Sequence, residues 1–228
     1  MRALPDLRLH EQILLLALHD KKGTLHTSMF SYAVAGAIVA ELVDSGRLRI
    51  EQHQRQRVLA VADPSSMADP LLDECIRKIA TATRHAAAAT WVKRFASIKE
   101  LKERIAERLC HRGILARSED RVLWVFPRVV YPTADPGPEL DIVAALRDAI
   151  VSDGEVDVRT GIVIALAHTA GILPHVFDSS LLKARSARID AIARSDDVSG
   201  AAKDTLEAAH AAVAALTAFT ADTAAARG

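Results

Sequence analysis

The chain has 228 residues, half of them apolar and 25% charged, enough for a sizeable core in one large domain or two small ones. Its 29 Lys and Arg balance 29 Asp and Glu, which excludes attraction of the whole protein to nucleic acid or acidic membranes and leaves only local patches. The two cysteines, Cys75 and Cys110, show no CxxC spacing, which excludes a disulfide framework or zinc site and fits a reducing compartment.

Met1 to His10 carries Arg2, Asp6 and Arg8 and has no apolar core of a secretory signal. Leu9 to His19 (LHEQILLLALH) predicts a helix with a wide apolar face, ended at Gly23 in a left-handed cap. The uncharged run Gly23 to Ala40 contains Gly, His, Thr and Ser, too polar for a membrane span, so the cytoplasm is the expected location. Ser31 to Val43 is apolar on every side, the mark of a central buried helix. Arg47 to Glu51 and Val58 to Ala62 predict a hairpin. Asp69 caps a helix running to Thr83, with Pro70 at its first position. Ser97 to His111 predicts the clearest helix, with Ser97 and Glu100 as a capping box and Ile98, Leu101, Ile105 and Leu109 as its stripe. Ile114 to Ala116 and Arg121 to Tyr131 predict a second hairpin turning at Ser118 to Asp120. Helices follow over Glu139 to Ser152, Val158 to Ala170, Ser180 to Arg194 and Ser199 to about Ala221.

The class expected is mainly α: a central helical core surrounded by amphipathic helices, with two short β-hairpins. A single domain is expected over 9–222, between a tail at 1–8 and a frayed end at 223–228.

No phosphate loop, HExxH or GxSxG occurs, so no enzyme, metal or cofactor is expected. The nine histidines are scattered, and His168, in an apolar helix, reads as a core histidine. In a helix over Ser97 to His111, Lys99 and Lys102 would lie roughly 60° apart on one flank of the stripe. Two ammonium groups beside the small Ala106 suit an anion such as phosphate. The plainer reading is a solvated face in which Glu100, Glu103 and Glu107 pair with neighbouring cations. Leu123, Trp124, Val125 and Phe126 form an unbroken apolar run, fitting buried core, an oligomer interface or a membrane contact. A helix followed by a hairpin also resembles a winged helix, with Arg117, Arg121 and Arg128 on the wing. The surrounding carboxylates disfavour nucleic acid as a partner.

Four stretches in register, LHEQILLLALHDKKG (9–23), GAIVAELVDSGRLRIE (36–51), LKERIAERLCHRGIL (101–115) and IVIALAHTAGIL (162–173), resemble the Golgi phosphoprotein 3 family. The resemblance covers Leu9 to about Phe219. It implies a helical core with a protruding hairpin and a non-enzymatic adaptor role. It also implies a phosphatidylinositol 4-phosphate site built from a Trp, an Arg and two basic residues. Here the Trp position falls on His26, the Arg position on Ala35, and the basic pair on Lys99 and Lys102. With two of four groups replaced, weak binding of an anionic headgroup or phosphate by Lys99, Lys102 and His26 is expected, peripherally at the inner face of the membrane. The Ala- and Arg-rich composition suggests a bacterial member. Protein partners and a homo-oligomer joined through the 114–131 hairpin are the alternative expectation.

Overall fold

The computed structural model describes residues 6–19, 23–122 and 126–194 together with 213, 214, 217 and 218, with backbone only at 120–122 and 126–128. Its centre is α2 (Phe30–Asp44), FSYAVAGAIVAELVD, in which Ala33 to Ala40 are all buried and the first charge is Glu41. A helix apolar on all sides must be covered on all sides. Among the described residues, four helices do this: α1 (Leu9–Ala17), α3 (Pro70–Ala80), α4 (Ala88–Ala96) and α7 (Val158–Thr169) pack against it. In α7, Thr160 to Ala167 are buried, so both helices expected to be central are central. Outside them lie α5 (Leu101–His111) and α6 (Gly137–Val151).

Helix α4 has no counterpart in the sequence expectation. Trp91, Val92 and Phe95 are buried against the core, a short stripe hidden by the alanines before it. Its presence displaces the expected capping box. Ser97 closes α4 as its C-cap, and its hydroxyl donates to the Lys93 carbonyl at 3.2 Å. Glu100 then turns left-handed (φ 56) and α5 begins only at Leu101. Tertiary packing of Phe95 overrides the local capping signal.

Strands β1 (Leu48–His53) and β2 (Gln56–Val61) pair antiparallel from Leu48↔Val61 to His53↔Gln56. The ladder therefore runs through the polar residues expected as a loop, and only Gln54 and Arg55 turn, with Gln54 at φ 54. Backbone pairing does not need apolar side chains on the solvent face. The second hairpin is shifted from its expected register. Ser118 to Asp120, expected as the turn, lie in β3 (Ser118–Val122), which pairs with β4 (Phe126–Val130). Val130, opposite Ser118, is buried, and anchoring it fixes the register. Leu123, Trp124 and Val125 lie outside the described residues, as does the Phe126 side chain.

Helices α8 (Leu173–Val176), α9 (Ser179–Ala184) and α10 (Ser186–Ala193) follow α7 in chain order. The helix expected over Ser180 to Arg194 is thus broken, at Arg185 (φ −112, ψ 16). Arg185 instead turns its guanidinium to the Ile150 carbonyl at 2.8 Å. His168 is on the outside of α7, 3.3 Å from Asp190, not in the core. The helix expected from Ser199 falls almost wholly outside the described residues.

Candidate anion-binding surface

Of the residues expected at the site, Lys102 and the loop of His26 both adjoin Tyr131 or its neighbours. Lys102 lies in the first turn of α5. Its Nζ stands 5.6 Å from the centroid of the Tyr131 ring and 3.2 Å from Glu103 Oε1. Tyr131 follows β4 and is 1% exposed as a residue. Burial pushes its hydroxyl pKa up, and Glu107 and Glu103 add to this, so the phenol is neutral and its ring face is available to a cation.

Tyr131 in turn touches the loop that carries His26. Gly23 adopts φ +57, and a Cβ there would lie 2.3 Å from the Tyr131 nitrogen. The glycine is therefore required by close backbone approach and not as the cap of α1, which ends earlier with Leu18 at its C-cap. The loop is pinned further by the bridge between Leu18 and Leu25 and by the His26 N–H donating to the Ala17 carbonyl at 3.0 Å. Gly23 and Tyr131, both buried, thus link the loop that carries His26 to the ring that Lys102 faces.

His26 does not stand alone. Its ring stacks on His175 of α8 at 4.3 Å with 10° between planes, and His19 lies 5.3 Å away on a tilt of 30°. His175 is not legible as a neighbour of His26 in the sequence because 149 residues separate the two. Among the described residues no group of three His, Cys, Asp or Glu is placed to hold a metal. Both thiols have raised pKa values, Cys75 and Cys110 alike, through burial first, so neither is an activated nucleophile.

Lys99 is placed otherwise than expected. It lies in the turn before α5, so the helical relation to Lys102 does not apply, and its side chain is 91% exposed and 3.7 Å from Glu100. Ala35 is fully buried inside α2 and offers no cation to this edge.

The other cations of α5 are committed inward. Arg104 pairs with Glu74 at 2.6 Å, while Arg108 and Arg112 reach the wholly buried Glu11 at 3.0 and 3.2 Å. Burial raises the Glu74 pKa, but Arg104 and Lys78 outweigh it and hold the carboxyl below its usual range. The arginine side of α5 thus turns toward Glu74 and Glu11, while its own Glu107 is exposed and Lys99 and Lys102, before and at its N-terminal end, lie beside Glu100 and Glu103. Among the described residues no helix is long and apolar enough to cross a membrane.

Comparison with known proteins matches the sequence of the chain to a family. Vacuolar protein sorting-associated protein 74 of Schizosaccharomyces pombe is 31% identical over 150 residues, covering 58% of this chain and 44% of that protein. Its counterpart in Eremothecium gossypii is 29% identical over 166 residues, covering 64% of this chain and 50% of that protein. The chain spans about half the length of the curated relatives it matches. Neither relative is bacterial, so the expectation of a bacterial source rests on composition alone. Residues 9–210 match the family described as Golgi phosphoprotein 3 (GPP34), and the chain belongs to that family.

Proposed function

We propose that this chain is a non-enzymatic adaptor that binds phosphorylated headgroups weakly and peripherally, at the cytoplasmic face of a membrane. The ligand-facing groups are Lys102, Lys99 and His26. The observation that carries the reading is the chain of contacts from Lys102 through Tyr131 and Gly23 to the His26 loop, in a chain of this family. The relatives are named for vacuolar protein sorting, and a membrane-surface adaptor is consistent with that name.

Each exposed lysine near an anionic surface contributes about 1 kcal/mol, and Lys102 and Lys99 each have a glutamate beside them. The binding is therefore weak and falls with salt. Nucleic-acid binding is disfavoured because Arg104, Arg108 and Arg112, the basic stripe such a helix would need, are held by Glu74 and Glu11. Co-sedimentation with phosphatidylcholine vesicles, with and without a phosphorylated phosphatidylinositol, tests the proposal. Lys99→Ala/Lys102→Ala should abolish the increment due to the phosphorylated lipid while leaving the fold intact by circular dichroism. Equal binding by both proteins would contradict it.

A further inference from the structure

Residues 75–99 carry six Lys or Arg, namely Arg77, Lys78, Arg84, Lys93, Arg94 and Lys99, and no Asp or Glu. The rest of this net-neutral chain must then carry the opposite balance. The fold gathers three of these cations at one cleft. It lies between the last turn of α3 and the body of α4, has a volume of about 420 Å³, and is lined by Lys78, Thr81, Thr83, Arg84, Trp91 and Arg94. No carboxylate is among the described residues lining it.

The lining groups are nearly all donors. Lysine, arginine and the indole N–H have no acceptor atom to offer. Among the described residues Lys78 has one counter-charge, Glu74 Oε1 at 3.4 Å, and Glu74 is shared with Arg104. Among the described residues Arg84 and Arg94 have no carboxylate partner; Arg94 instead stacks its guanidinium 4.5 Å from the Trp91 ring centroid. Trp91 is 3% exposed, and its Nε1 is buried with no acceptor among the described residues. A buried N–H without a partner is uncommon in a folded chain. The Thr81 hydroxyl donates to the Arg77 carbonyl at 2.9 Å.

Three like charges around one cleft repel one another, and an anion with several acceptor oxygens relieves that repulsion. Phosphate fits better than a single carboxylate, because guanidinium forks engage its oxygens in pairs. The dipole of α3 works the other way, since its C-terminal carbonyls face this end of the helix. Attraction must therefore come from the side-chain cations, and all three are exposed enough for salt to screen them. We infer that the α3–α4 cleft is a phosphate-binding site, separate from the Lys102 edge, that holds a phosphate-bearing anion with Lys78, Arg84 and Arg94 against the Trp91 wall. The inference does not depend on the proposed membrane role.

The test uses Trp91 as the reporter. In a Trp124→Phe background it is the only tryptophan of the chain, so an anion that shifts Arg94 changes its emission. Pyrophosphate is titrated into the millimolar range, and vesicles of phosphatidylcholine with phosphatidic acid are titrated in parallel. A saturable response to pyrophosphate, at least tenfold weaker in Lys78→Gln/Arg84→Gln and unaltered in Lys99→Ala/Lys102→Ala, supports the site and identifies a soluble ligand. A response to phosphatidic acid vesicles alone, lost in Lys78→Gln/Arg84→Gln, supports it and identifies a headgroup. No saturable response to either, or the same affinity in Lys78→Gln/Arg84→Gln, overturns it. Arg84 and Lys78 are both exposed, so these substitutions leave the core untouched.

Discussion

Glu41 is the only charge before Asp44 in the central helix, and three donors meet its carboxylate in the interior. The Leu9 N–H donates at 2.8 Å, Arg8 at 3.1 Å and Arg159 at 3.0 Å. Burial alone would raise its pKa, but these contacts prevail and hold it below the usual range. Asp69 is a second case. Burial again acts upward, but His10 at 3.5 Å, Arg108 at 3.6 Å and the Leu72 N–H bring its pKa down to about 2. A lowered folded-state pKa means stability that is present above the unfolded value of 3.8 and lost as pH falls toward about 2. The contribution is about 2 kcal/mol. Acid unfolding followed by circular dichroism should show this limb between those values, and Asp69→Asn, which keeps the helix cap, should flatten it. Sequence reading found the cap but not the network, because Glu11 meets Arg108 and Arg112 across separations of 97 and 101 residues.

At the scale of elements, periodicity revealed the long apolar helices and missed the short one. Helices α2 and α7 were legible because apolar residues on every side leave only one environment for them. Helix α4 was hidden because its stripe of Trp91, Val92 and Phe95 spans barely one turn. The consequence reached the candidate site, since a helix ending at Ala96 moves Lys99 off α5 and out of register with Lys102. The hairpin failed for a related reason. A continuous apolar run looks like one strand, whereas the ladder sets Val122 opposite Phe126. Gly23 is the element-level constraint that holds the site edge together. Gly23→Ala would need a left-handed alanine whose Cβ overlaps the Tyr131 and Pro132 backbone. It should lower stability by about 2 kcal/mol and weaken vesicle binding with it. Urea unfolding and co-sedimentation of the same variant check both effects. Wild-type stability would show that the loop does not press on Tyr131.

Over the whole molecule, the mainly helical class and the family were legible in four stretches of sequence, and the distribution of charge was not. Equal numbers of acids and bases gave no hint that Glu11, Glu41 and Asp69 would be drawn inward, against Arg8, Arg108, Arg112 and Arg159, while Lys78, Arg84 and Arg94 remained outside. That segregation gives a net-neutral protein a local basic patch at the α3–α4 cleft. The most direct measurement of the proposed headgroup edge is amide hydrogen exchange in the presence and absence of vesicles bearing a phosphorylated phosphatidylinositol. Slowed exchange at 23–27, 99–105 and 130–132 is the expected result. Unchanged exchange in those three segments, with protection elsewhere or nowhere, would contradict it.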